Sequence, residues 1–141
     1  MTRWHPADPV AVPGSYGEPG LTEEFWAAAA EHVLVRPVCR ACGSSFFPPL
    51  IACPHCVAQD WEYRRSAGRG TIYSCAVVHK APSPEFETPY PLAIVDLDGE
   101  GWGLLTTIVD APSPRIGDQV EVTWREAGDR VLPAFRPVST R

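Results

Sequence analysis

The sequence predicts a mainly β protein, in which one N-terminal helix precedes a short cysteine-rich ribbon and a C-terminal barrel of five strands. Three observations favour this fold class. Four of the five cysteines form two Cys-x-x-Cys pairs with ten residues between them. Five β-rich segments, joined mainly by short turns, follow from about Gly70 to Val138. The 141 residues also include 16 prolines and 11 glycines, which disfavour long helices and favour short strands and turns.

The segment before the helix, residues 1–20, is rich in Pro, Gly and Ala and has no apolar periodicity. It is typical of an extended arm that is ordered against a partner. It lacks the apolar core and the small-residue cleavage site of a signal peptide, and no stretch of the chain approaches the length of a bilayer span. We therefore expect a cytoplasmic protein.

A single helix is predicted over about Glu23 to Val33. Thr22 is a good N-cap residue, and the acidic side chains after it suit the positive end of the helix dipole. Four consecutive alanines promote helix formation. Phe25 and Trp26 lie on roughly one face, which packs either on its own domain or on another protein; the pattern leaves both readings open.

The two cysteine pairs predict a metal site. In a reducing compartment, such pairs favour metal ligation over disulfides. Each Cys-x-x-Cys turn brings two thiolates to one ion, and two turns complete the tetrahedral set that Zn²⁺ prefers. Four protein ligands leave no open position for water or substrate, so we predict structural zinc, with iron as the minor alternative. The predicted ligands are Cys39, Cys42, Cys53 and Cys56.

The residues around the cysteines differ between the two turns. Gly43 follows the first pair and suits a tight turn, because glycine accepts positive φ. Val57 occupies the matching place after the second pair and departs from this pattern. His55 is expected to point outward. The fifth cysteine, Cys75, lies within a predicted strand and is expected to be a buried free thiol.

The C-terminal half is predicted to form the barrel. Residues 71–80, 89–98 and 102–110 each read as one strand, and residues 116–138 give two more around the turn Ala127–Asp129. The Gly- and Asp-rich tetrad between the second and third strands is typical of a hairpin turn. Five strands in this length fit the Greek-key barrel called the OB-fold.

Charge and motifs exclude several functions. The formal net charge is −5 and the isoelectric point is about 5.3, which argues against a general polyanion binder. No P-loop, dinucleotide fingerprint or nucleophile–histidine–acid motif occurs. The basic residues Arg64, Arg65, Arg69 and Lys80 form either a solvated linker or a patch that faces the phosphates of a nucleotide-like ligand.

The order of motifs resembles a known family. A helix containing FW is followed by CRACG, FFPP, CPHC, W-x-Y, GRGTIYSCAVVH, PYPLAIVDLD, LLTTIVD, IGDQVEVTW and LPAFRPV. This series resembles the DUF35 family, whose members have a rubredoxin-like zinc ribbon followed by an OB-fold. The resemblance covers about Leu21 to Val138. Residues 1–20, the arm predicted from composition, lie outside it. After the arm we expect a helix at 21–36, a zinc ribbon at 37–66 and an OB-fold domain at 67–141.

The resemblance also implies a function. Family members work beside thiolase-superfamily enzymes or MaoC-like hydratases that act on acyl-CoA thioesters. We expect a non-catalytic subunit of an aldolase or acyltransferase, in steroid side-chain or lipid degradation, in a heterotetramer with two copies of each chain. The resemblance makes the four cysteines zinc ligands, and it places a partner-binding role on Phe25, Trp26, Phe46 and Phe47. Contact of this chain with the acyl-CoA itself is left open.

Two alternatives belong to other classes. A zinc ribbon followed by an OB-fold also occurs in nucleic-acid binders, where aromatic side chains stack on bases. Tyr73, Trp102 and Trp124 are the candidates for stacking, although strand alternation favours core or partner packing for them. The acidic charge balance argues against this reading, and we expect no nucleic-acid partner. An independent acyl-CoA carrier or regulator is the remaining alternative.

Overall fold

The computed structural model describes residues 21–81, Pro84 and residues 87–138. The predicted arm at residues 1–20 lies outside the described residues. The predicted fold class is confirmed, because one short helix, a cysteine ribbon and a nearly closed five-stranded antiparallel barrel follow one another.

The chain divides into two compact units. The ribbon unit contains the described residues up to Ala67 together with Trp124–Leu132. The barrel unit contains Gly68–Thr123 together with the described residues from Pro133 onward. The tip of the last hairpin therefore belongs to the unit that holds the helix and the cysteines, although it is far from both in sequence.

Helix α1 spans Glu23–Ala30 and begins where the sequence predicts. It ends three residues before the predicted Val33, because His32 adopts a positive φ of 60°. The expected N-cap does not form: Thr22 has a helical backbone conformation and its side chain makes no capping hydrogen bond. A side-chain cap needs an extended N-cap backbone, so the residue type alone did not decide this helix end.

The ribbon is built on two antiparallel strands, β1 at Val35–Cys39 and β2 at Trp61–Arg65. Their register runs from Val35 opposite Arg65 to Cys39 opposite Trp61. Cys39 is the last residue of β1, and the other three cysteines of the two pairs lie in the segment that connects β1 to β2. The strand pair thus fixes the position of Cys39, and the connecting segment brings the second cysteine pair close to the first.

The barrel has five strands in the order β5-β4-β3-β6-β7. A parallel bridge between Ile108 and Phe135 connects the end of β5 to β7, which nearly closes the sheet. The strands are β3 at Arg69–Val78, β4 at Tyr90–Leu97, β5 at Gly103–Thr107, β6 at Gln119–Ala127 and β7 at Arg130–Pro137.

The barrel core follows the period-two alternation of its strands. Its interior holds Ile72, Val95, Val120 and Phe135, each at most 1% exposed. Gly70 lies where β3 approaches β4 closely, since a Cβ there would sit 2.5 Å from the carbonyl oxygen of Asp96. Only glycine fits that contact without a shift of the backbone.

Candidate metal centre

The two Cys-x-x-Cys turns, here called knuckles, share one backbone geometry. In each knuckle, the backbone carbonyl of the first cysteine accepts a hydrogen bond from the backbone N–H four residues later. The backbone N–H of the same cysteine donates to the carbonyl five residues later. The four bonds are Gly43 to Cys39 (2.9 Å), Cys39 to Ser44 (2.9 Å), Val57 to Cys53 (2.8 Å) and Cys53 to Ala58 (2.8 Å). The ribbon therefore presents two nearly equivalent half-sites.

Val57 adopts the conformation of the glycine that it replaces. Its φ is 67°, against 76° for Gly43 at the equivalent position. A β-branched residue at positive φ is an outlier, because its side chain crowds the backbone there. Valine in place of glycine therefore does not change the shape of the second knuckle, but Val57 itself is strained.

The four thiols converge on one point. Their Sγ atoms all lie within 4.8 Å of one another. Cys39 and Cys56 are 3.5 Å apart, and Cys42 and Cys53 are 3.7 Å apart. Tetrahedral Zn–S bonds of about 2.3 Å require sulfur atoms about 3.8 Å apart, so the cluster fits a zinc ion. The predicted structural zinc site is confirmed as a set of four cysteines suited to this metal.

Burial is asymmetric in the same way in both knuckles. The first cysteines, Cys39 and Cys53, are each 1% exposed, whereas the second cysteines are exposed. Phe46 belongs to the same buried cluster and meets Trp61 edge-on, with ring centroids 5.7 Å apart. A metal ion bound by all four thiolates would therefore join two buried cysteines of the ribbon core to two exposed cysteines at its surface.

Hydrogen bonds set the thiol pKa values in opposite directions. Bonds from the Ser44 side chain and backbone lower the pKa of Cys42 to about 6. The backbone N–H of Ala58 lowers the pKa of Cys56, but hydrogen bonding with Cys39 and desolvation outweigh it and raise that pKa to about 12. Thiols this close cannot all ionise on their own, and a divalent cation resolves the conflict because it binds thiolate at each position.

The four residues expected at a partner surface lie close to one another in the ribbon unit, but at different depths. Phe25 is 5% exposed and packs on Trp26 and Phe47, with ring centroids 5.0 and 5.5 Å away. Phe46 is 4% exposed. Trp26 and Phe47 are half-buried. Whether the four residues contact a partner stays a prediction.

The helix packs on its own unit through the last hairpin. The Arg130 guanidinium lies 4.6 Å from the centre of the Trp26 ring. Desolvation in this position lowers the pKa of Arg130. The His32 ring stacks on Trp124 at 5.6 Å and 14°. The first of the two readings left open for the helix is therefore present in the structure.

The basic residues of the connector lie beside acidic ones. Arg64 contacts Glu62 at 2.8 Å, and Arg69 lies 3.9 Å from Glu121. Both arginine side chains are more than half exposed and both glutamates about a third exposed, so water screens the pairs and they contribute little to stability. These contacts favour the solvated reading of Arg64 and Arg69 over a phosphate-binding patch.

Three aromatic residues named for base stacking occupy different environments. Trp102 is 5% exposed and its indole N–H donates to Glu100. Trp124 is covered by His32. Tyr73 is 64% exposed.

Cys75, which was expected to be buried, is only half-buried, and its thiol donates to the Pro114 carbonyl at 3.5 Å.

One feature of the surface was missed from the sequence. Ile94 and Leu105 lie opposite each other on β4 and β5 and point outward, at 37% and 62% exposure. Both strands contain continuous apolar runs, so their sequences do not show the alternation that would indicate which side chains point outward.

Among the residues that the structure describes, no helix is long and apolar enough to cross a membrane.

Comparison with known proteins finds two matching family profiles. A family profile described as "ChsH2, rubredoxin-like zinc ribbon domain" matches residues 26–62. A second, described as "ChsH2, C-terminal OB-fold domain", matches residues 63–125. Among solved structures, a chain of the Ltp2-ChsH2(DUF35) aldolase has a TM-score of 0.77 and 39% identity, and the match covers 86% of this chain and 97% of that one.

Curated relatives carry several descriptions. A DUF35 domain-containing scaffold protein of Methanothermobacter thermautotrophicus is 40% identical over 62% of this chain and 68% of its own length. A probable enoyl-CoA hydratase alpha subunit of Thermomonospora curvata is 44% identical over 80% of this chain, which spans only 36% of that relative. The benzoylsuccinyl-CoA thiolase subunit BbsA of Thauera aromatica is 33% identical over 60% of this chain and 58% of its own length.

Proposed function

Because the chain belongs to the DUF35 family, we propose that it is a non-catalytic subunit that binds and stabilises a thiolase-superfamily partner acting on acyl-CoA thioesters. The observation that carries this proposal is the similarity to a chain of the Ltp2-ChsH2(DUF35) aldolase over 97% of that chain. The similarity to BbsA, a subunit of benzoylsuccinyl-CoA thiolase, supports the same class of partner.

The metal site supports a structural role. Within the described residues, the four cysteines are the only group of three or more Cys, His, Asp or Glu placed to hold a metal ion. A four-thiolate site is closed to substrate, so its metal stabilises the ribbon rather than activating water. We therefore assign the chemistry to the partner.

The partner reaction that we propose is retro-aldol cleavage or acyl transfer, in the breakdown of a steroid side chain or another lipid. The similarity to an aldolase chain favours cleavage. We propose two copies of each chain in the complex. Phe25 and Phe46 would support the docking surface from within, while the half-exposed rings of Trp26 and Phe47 would contact the partner.

A hydratase partner is the second candidate. The identity of 44% to a probable enoyl-CoA hydratase alpha subunit favours it, and this chain corresponds to about a third of that subunit, or 36%. In this case the chain would serve as the accessory domain of a MaoC-like hydratase. A nucleic-acid role has less support, since the chain is acidic and Trp102 is buried.

The test is to tag the chain in its native host, purify it gently and identify stoichiometric partners by mass spectrometry. We expect a thiolase-like chain, no acyl-CoA turnover by the isolated subunit, and turnover by the complex. A hydratase-like partner would select the second candidate. Full turnover by the isolated chain, or co-purification of nucleic acid in place of a protein, would refute the proposal.

A further inference from the structure

The barrel unit has an apolar outer face that remains exposed among its described residues. We define the outer face as the outward side chains of Tyr73, Leu92, Ile94 and Leu105, on strands β3, β4 and β5. Ile94 is opposite Leu105 on β5 and opposite Ser74 on β3. Tyr73 lies at the irregularity between Ile72 and Ser74 and so stands at the same level of the sheet.

The outer face is unusual for a sheet that borders water. Antiparallel strands with one wet face alternate apolar with polar residues, whereas strands covered on both faces are apolar throughout. Residues 92–95 of β4 are Leu-Ala-Ile-Val, of which Ala93 and Val95 fill the barrel interior at 2% and 0% exposure. Ile94 and Leu105 remain on the opposite side, at 37% and 62% exposure. The pattern is that of a sheet with a second layer packed against it.

The border of the outer face is acidic. Asp96 is the next outward residue on β4 after Ile94, and it lies opposite Gly103 on β5. Asp98 and Glu100 follow in the turn between the strands. Thr71, Asp96 and Asp98 line an open depression at this end, where the Thr71 hydroxyl donates to Asp98 at 2.9 Å. Polyanions such as nucleic acid and the phosphates of coenzyme A are repelled by such a border.

We propose that the outer face docks the proposed thiolase-like subunit, through an apolar patch on that subunit that is bordered by Lys or Arg at the end facing Asp96. This inference rests on the proposed function. The apolar side chains are the anchors that resist dissociation, and the carboxylates speed association and fix orientation. The acidic border favours a cationic protein surface over an anionic ligand.

The experiment uses the full chain and the thiolase-like subunit that co-purifies with it. Leu105→Arg places a cation on the outer face beside Ile94, and because Leu105 is 62% exposed the barrel should still fold. Ile116→Arg is the matched control, since Ile116 is 69% exposed in the loop before β6 and outside the paired strands. Thermal unfolding and zinc content check that both variants are folded.

We expect Leu105→Arg to raise the Kd for the subunit at least tenfold, because it puts a charge at an apolar anchor, and Ile116→Arg to leave the Kd within about twofold. Asp96→Lys should mainly slow association and flatten its dependence on salt. Wild-type binding that neither Leu105→Arg nor Asp96→Lys weakens would overturn the inference while leaving the proposed function intact. Absence of any wild-type complex would overturn both. Concentration-dependent dimers of the isolated chain that Leu105→Arg disrupts would instead identify a second copy as the occupant and overturn the inference.

Discussion

Replacing Val57 by glycine is expected to stabilise the protein, although it removes a side chain. Val57 has a φ of 67° and is 76% exposed, so its side chain is strained and contributes little burial. Its N–H bonds to the Cys53 carbonyl at 2.8 Å, and this bond keeps the residue in the left-handed region. Glycine satisfies the same bond without crowding between Cβ and the backbone.

The size of the effect follows from two opposing contributions. The left-handed conformation costs a non-glycine residue about 1–2 kcal/mol. Glycine loses more conformational freedom on folding, which takes back about 0.5–1 kcal/mol. The net gain for Val57→Gly therefore lies between about 0 and 1.5 kcal/mol in the free energy of unfolding, with a midpoint of about 0.75 kcal/mol. For a chain of this size, the midpoint corresponds to a rise in Tm of about 1–4 °C.

The chain offers a matched reverse substitution. Gly43 has a φ of 76°, and a Cβ built on it meets no atom within 4 Å. Gly43→Val should therefore lower stability by about the amount that Val57→Gly gains, through conformation alone. Val57→Ala keeps a Cβ at positive φ and removes only the β-branch, so it should gain less stability than Val57→Gly.

The assay is guanidinium unfolding followed by circular dichroism, with zinc in the same excess for all variants. The double exchange of valine and glycine between the knuckles should return stability close to that of the wild type. A Val57→Gly variant that is less stable than wild type would refute the reasoning. So would a Gly43→Val variant that unfolds at the wild-type midpoint, because the two knuckles would then not be equivalent.

Three further predictions concern the metal and the helix. Cys39→Ser should abolish stoichiometric zinc binding and unfold the ribbon, measured by metal analysis and near-ultraviolet circular dichroism, since structural zinc contributes about 10 kcal/mol or more to such folds; retained zinc at one equivalent would contradict this. Zinc affinity should fall as pH falls, because protons compete with the metal for thiols such as Cys56, whose pKa is raised to about 12 in the metal-free protein. Competition with a chelator between about pH 6 and about pH 8 measures the affinity. An affinity that does not change with pH would show that the thiols are not the ligands. Arg130→Ala should cost about 0.5–1 kcal/mol and change tryptophan fluorescence by removing the cation–π contact with Trp26, whereas Arg130→Lys should retain part of both.

Local signals in the sequence account for most of the fold and for the metal site. The Cys-x-x-Cys spacing identifies the four candidate ligands because each turn needs only its own residues. The strands of the barrel follow from alternation and from turns such as the tetrad beginning at Asp98. These features depend on neighbours a few residues away, which a sequence displays directly.

The features that sequence reasoning missed depend on distant residues. Helix propensity favoured continuation to Val33, but the helix ends at Ala30, and His32 instead stacks on Trp124 from the last hairpin. The φ of Val57 follows from the hydrogen bonds of the knuckle and not from the preference of valine. The outward position of Leu105 depends on pairing with β4, since a continuous apolar run does not indicate which side faces the interior.

The last hairpin also bears on how the chain acquires its structure during translation. The helix and both knuckles leave the ribosome well before Trp124–Leu132, which complete the same unit. Until then, Trp26 lacks the guanidinium of Arg130 and His32 lacks the ring on which it stacks. A nascent chain that ends near Ala67 can gather its zinc ligands but has an uncovered aromatic helix face. The ribbon unit is thus a discontinuous folding unit, and it becomes complete only after most of the barrel has been synthesised.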